Sequence, residues 1–149
     1  MLVSDTKTMR FADENITLKN FGNGHTDGDL WIYFESADVL GLGDTFWNGV
    51  YPFIDNAVHG GIDDAIKWAA HAVKQSSEHT IMVPGHGSAG NRAQLIEFHD
   101  MLVAVRDNVK RLKDLGMSAD EVVAAKPTAR YDAKYGNFDI KPEFFTRLV

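Results

Sequence analysis

Apolar and polar residues alternate in short runs through the first half of the chain, whereas in the second half apolar residues return every three or four positions. Alternation over "NITLKN" (15–20), "DLWIYFES" (29–36) and "DVLGLG" (38–43) predicts three strands. "GGIDDAIKWAAHAVKQS" places Ile62, Ile66, Ala69 and Val73 on one side of an amphipathic helix. The short apolar run "HTIMVP" (79–84), closed by Pro84, predicts a buried strand. A long helix then opens at Asn91, with Gln94 three residues on, and carries Leu95, Phe98, Leu102, Val105, Val109 and Leu112 as one stripe. Gly116 ends it, "SADE" (118–121) is a capping box for a shorter helix, and Pro127 stops that one. The aromatic tail is expected to pack back on the body through Phe144, Phe145 and Leu148. Strands feeding helices in this order predict a layered α/β fold, one mixed sheet with helices against one face.

Length and composition narrow the function. The 149 residues suit a single domain (1–149), and 44% hydrophobic with 24% charged residues is ordinary for a globular chain. A net charge of −6 and the absence of a basic stripe argue against nucleic acid. The densest basic stretch, "VRDNVKRLKD", alternates with acids as a solvated helix face does. No apolar run is long enough to span a membrane and no signal peptide opens the chain, so no membrane partner is expected. With no cysteine, any metal must take nitrogen and oxygen ligands, and a reducing, cytoplasmic setting is the expected one.

Three glycine-rich turns each hold one potential ligand. "GNGHTDGD" precedes a strand, "GLGDTFWNG" follows one and "VPGHGSAGN" follows another, presenting His25, Asp44 and His86. Two imidazoles and a carboxylate suit zinc, iron or manganese, and Thr26, Asp29 and Thr45 are placed to orient them. Each turn alone is a weak signal, because Gly-Asp and Gly-His are common turn pairs. Their order between strands and helices is the informative part.

"GHTDGD", then "GDTFWNGVYPFID", then "VPGHG" resembles the C-terminal half of a metallo-β-lactamase-fold hydrolase, and the likeness continues through "RAQLIEFHDMLVAVRDNV" and "EVVAAKP". Among such proteins it is most similar to the lactamase-like hydrolases of broad or unassigned substrate. The resemblance implies half of a four-layer αββα sandwich and a zinc site of one or two ions acting on a small-molecule substrate. It implies His25 at the first zinc position, Asp44 bridging the two, and His86 at the second. The family's earlier His-x-His-x-Asp-His motif is absent: no two of His25, His59, His71, His79, His86 and His99 lie two apart. No catalytic base is therefore assigned. A half sandwich would expose the apolar face of its sheet, so a homodimer through that face, or a partner half, is expected to complete the site. The alternative is a non-catalytic oligomerising half-domain with vestigial metal loops.

The remaining candidates have plainer readings. His71 lies opposite its helix's stripe, His99 flanks the stripe of the long helix, and His79 opens a strand. His59 in "NAVHGG" is a turn residue or lines a pocket; Trp47, Tyr51 and Phe53 are a substrate wall or anchors for the metal loop. Asp27-Gly28-Asp29 lacks the later ligands of a calcium loop.

Overall fold

In a computed structural model the chain is described from residue 5 to residue 149, so the first four residues of the expected domain lie outside the description. Five strands form one sheet in chain order: β1 (Thr6–Phe11), β2 (Glu14–Lys19), β3 (Trp31–Phe34), β4 (Val39–Trp47) and β5 (Ile81–His86). The first four pair antiparallel, and β5 joins β4 in parallel after the crossover helix α1 (Ile62–Gln75). The long helix α2 (Arg92–Asp114) follows, then α3 (Ala119–Ala124), the single turn α4 (Asp132–Tyr135) and α5 (Pro142–Leu148). The fold is thus one mixed sheet with helices on one face, as expected.

Residues on the two faces alternate in rows across the sheet. The row Thr8–Thr17–Tyr33–Leu40–Met82 faces the helices, and its centre lies in the core with Trp31, Leu42, Phe46 and the α2 stripe. The next row, Met9–Ile16–Phe34–Val39–Ile81, is apolar across all five strands and faces away from the helices. Beside it runs Lys7–Leu18–Ile32–Gly41–Val83. Ile81 is 49% exposed and Val83 43%, far from what an inner β-sandwich face shows. The two faces of β5 therefore differ sharply: Met82 is fully buried between those two exposed neighbours.

The helices form where the sequence predicts, with one shift of register. Asn91 and Gln94 make the reciprocal capping box of α2, and Ser118 and Glu121 that of α3. All six predicted stripe residues of α2 are buried, and Met101 joins them. On α1 the buried centre is Ala65, Trp68, Ala69 and Ala72, with Ile62, Ile66 and Val73 half-buried at its margins. The small alanines let α1 lie close against its neighbours while Trp68 reaches inward, donating from Nε1 to the Asn23 carbonyl at 2.7 Å. His71 is exposed, yet its ring stacks on Phe21 at 4.5 Å.

Three strand expectations need correction. β1 is not visible in the alternation, because only Met9 and Phe11 of its six residues are large and apolar; hydrogen bonding to β2 around the Ala12 turn (φ 53°) makes it a strand. β4 runs on past residue 43 through Asp44 to Trp47, held by its parallel partner across two register shifts. β5 starts at Ile81, not His79, and continues through Pro84 to His86.

A carboxylate fastens the β3–β4 turn to the start of β5. Asp38 sits at φ 50°, a left-handed conformation that Asp and Asn tolerate better than other side chains. Its carboxylate accepts from Thr80 Oγ1 (2.7 Å), Tyr33 Oη (3.0 Å) and Ser77 Oγ (3.0 Å). The Thr80 hydroxyl foremost, with those of Tyr33 and Ser77, holds the Asp38 carboxyl below its ordinary range. Stability from this clamp is therefore present at neutral pH and is lost as pH falls through the lowered value. Asp38→Asn, which keeps the backbone preference, is expected to cost about 1 kcal/mol at pH 7. In thermal unfolding, the deficit should shrink toward zero as the pH is lowered below the carboxylate range.

Candidate functional site

His25 reaches the site from the β2–β3 loop, Asp44 from within β4 and His86 from the last residue of β5. Asp44 stands between the two imidazoles: its Oδ1 is 3.3 Å from His86 Nε2 and its Oδ2 is 3.7 Å from His25 Nε2. The three residues predicted from separate turns thus meet at one end of the sheet. The turns differ from expectation in one respect, since Asp44 and His86 belong to strands that extend to deliver them.

The loop carrying His25 is built by its own polar side chains. Asp29 accepts from the Thr26 backbone N–H (3.0 Å) and the Thr26 hydroxyl (3.3 Å), closing the turn on itself. The His25 carbonyl accepts from Asp55 N–H (3.0 Å), which ties this loop to the segment after β4. Thr26 and Asp29 therefore shape the loop. The buried Thr45 hydroxyl donates to the Leu42 carbonyl at 2.7 Å, inside the strand that carries Asp44. His59 lies in the left-handed region at φ 64°, exposed, with Nδ1 3.3 Å from Asp27, and makes no contact with Asp44 or His86.

Aromatic and backbone groups set the imidazole orientations. His25 Nδ1 lies 2.7 Å from the Phe53 carbonyl oxygen. A carbonyl only accepts, so Nδ1 carries a proton, and Nε2 is the ring nitrogen turned toward Asp44. Trp47 is buried; its indole stacks on His86 (3.7 Å between ring centres, 25° between planes) and its Nε1 donates to the Asp44 carbonyl at 3.0 Å. Of the two readings open for Trp47, anchoring is the one its contacts show. Phe138 was not singled out in the sequence, yet its ring centre lies 5.9 Å from that of His86. No local pattern marks it, since the tail approaches the site only through the tertiary fold.

The donor set suits a divalent cation. The Asp44 carboxylate lies between two imidazole nitrogens, an arrangement of one anionic and two nitrogen donors that a positive charge would complement. Among the described residues, however, no group of three or more His, Cys, Asp or Glu side chains is arranged to hold a metal ion. The carboxylate separates the imidazoles, one per oxygen, so the trio fits as part of a larger ligand set and not as a closed site. The surface clefts, such as those bounded by α2, α3 and α5 or lying over β1–β3, contain none of the three.

Backbone crowding explains two glycines. A Cβ on Gly85 would stand 2.1 Å from Asp44 Oδ1 and 2.9 Å from Asp44 N, and one on Gly87 (φ 89°) would stand 2.2 Å from the Asn48 carbonyl oxygen. β5 can lie against Asp44 only without a side chain at residue 85.

No protein-family model and no curated protein matches the chain. Solved structures do. The chain is similar to the stereoselective inverting sec-alkylsulfatase Pisa1 from Pseudomonas sp. (TM-score 0.74, 14% identity, 99% of this chain and 25% of that one). It is also similar to a metallo-β-lactamase from Pontibacter korlensis (TM-score 0.56, 16% identity, 67% of this chain and 46% of that one). The DIM-1 metallo-β-lactamase gives TM-score 0.56 and 23% identity over 68% of this chain and 46% of that one. The chain has the metallo-β-lactamase fold, and it spans a quarter to under half the length of these neighbours. Among its described residues no helix is long and apolar enough to cross a membrane.

Gly85→Ala is expected to push Asp44 out of line and destabilise the protein by about 1–3 kcal/mol. Denaturant unfolding, with the His25 and His86 ring resonances followed by NMR, checks both effects. Unchanged stability together with unchanged rings would contradict the crowding.

Proposed function

We propose that this chain supplies one half of the active site of a zinc-dependent hydrolase acting on a small molecule, with the other ligands coming from a partner half or a second copy. The observation that carries the reading is Asp44 held between His25 and His86, with the His25 tautomer set by the Phe53 carbonyl. The fold shared with the lactamases and the alkylsulfatase supports it. His25 Nε2, the Asp44 carboxylate and His86 Nε2 would hold zinc together with ligands from the other half. When bound, such an ion supplies Lewis acidity toward an ester, amide or sulfate oxygen. The chain's own contribution is orientation: the Phe53 carbonyl keeps Nδ1 protonated, and Trp47 holds the plane of His86 and the backbone of Asp44.

The apolar row Met9–Ile16–Phe34–Val39–Ile81 supports docking through the open sheet face. A two-fold dimer would use this patch on both copies. It spans all five strands of the sheet.

One observation favours a second reading, a half-domain that oligomerises without catalysis: no trio of ligands closes on a point among the described residues.

Native mass spectrometry of protein purified without chelator distinguishes the two. The expected result is a dimer that takes up zinc, with His86→Ala weakening uptake by more than the ~10–100-fold typical of an outer-shell change. A species still metal-free after zinc is added would exclude the hydrolase reading for this chain.

A further inference from the structure

We infer that Phe138 and Phe144 form an apolar rim beside the histidines that receives an alkyl or aryl arm of the substrate. This rests on the hydrolytic reading above and deepens it. Six of the exposed large apolar side chains, Met9, Phe11, Leu30, Ile32, Ile81 and Val83, belong to the sheet or the residue leading into it. Phe138 (38% exposed) and Phe144 (46%) do not: they come from the C-terminal segment, which brings Phe138 beside His86 and Phe144 beside Phe53.

Each imidazole has its own aromatic neighbours. His86 lies between the buried Trp47, stacked at 3.7 Å, and the exposed Phe138 at 5.9 Å. His25 meets Phe53 edge-on at 5.8 Å, and Phe53 in turn stacks with Phe144 at 6.2 Å. The inner rings are buried or half-buried, while the outer two are exposed. The tail was expected to pack through Phe144, Phe145 and Leu148; Phe145 is buried and Leu148 half-buried, but Phe144 points to the surface.

These rings are mounted on fixed structure. Phe145, next to Phe144, stacks on Tyr51 at 4.6 Å. Tyr51 Oη donates to Asp132 Oδ1 at 2.8 Å, and burial, then the Asp132 carboxylate, pushes its phenol far above the ordinary value. Between α4 and Phe138, Gly136 has no room for a Cβ, which would meet the Asp132 carbonyl oxygen at 2.8 Å. A subsite already in place costs little ordering when an apolar arm arrives, and each ring it covers recovers part of the free energy lost by exposure. For an ester carrying such an arm, hydrolysis would break the acyl–oxygen bond, the oxygen of water joining the acyl carbon and the alcohol leaving with a proton.

The test compares 4-phenylbutyrate with acetate on the intact chain, with binding and intermolecular NOEs measured by NMR. The expected result is binding of 4-phenylbutyrate about tenfold or more tighter than acetate, NOEs to the Phe138 and Phe144 rings, and loss of most of the preference in Phe138→Ala/Phe144→Ala. Equal binding of the two acids, or NOEs to Ile81 and Val83 instead, would overturn the subsite. Hydrolysis of 4-nitrophenyl acetate and octanoate at equal rates would remove the subsite and leave the hydrolase standing. Rim-dependent 4-phenylbutyrate binding by a chain that takes up no zinc would remove the hydrolase and leave the subsite.

Discussion

The contact between β5 and Asp44 constrains the rest of the site. The backbone at Gly85 passes so close to the carboxylate that any Cβ there would collide with it. That proximity sets the parallel pairing at the ends of β4 and β5 and brings His86 to one oxygen of Asp44. The same strand, β4, buries Leu40, Leu42, Phe46 and Trp47, so the ligand's position is fixed by core packing. A shift of β4 that moved Asp44 would also unpack the sheet from α1 and α2. Site geometry and fold stability are here properties of one strand.

Around that contact, orientation is divided among groups of different kinds. A backbone carbonyl selects the His25 tautomer, an indole selects the plane of His86, and the indole N–H holds the backbone of Asp44. None of these groups is charged, so they orient the three side chains without competing for a cation. Among the described residues the cluster does not form a closed metal site by itself.

The sheet's one-sidedness is the second constraint. Helices cover the row that includes Leu40 and Met82, and no described element covers the row from Met9 to Ile81. In neighbours of which this chain spans a quarter to under half, the shared fold accounts for only part of the protein. The open face and the cluster of His25, Asp44 and His86 at one end of the sheet belong to one architecture, a mixed sheet with helices on one side.

The sequence by itself determined what depends on local chemistry. Capping boxes at Asn91 and Ser118, the stripe of α2 and the three glycine-flanked ligand candidates were all legible, because spacing along the chain encodes helix faces and turns. β1 was not legible, since an exposed edge strand needs no apolar alternation and exists through its hydrogen bonds to β2. Nor were the ends of β4 and β5, where pairing between distant segments carried each strand past the glycines that mark a turn locally. The stacking of Trp47 on His86 and the arrival of Phe138 from the tail were decided by tertiary structure alone, because ring contacts between residues 39 and 52 positions apart leave no trace in local spacing.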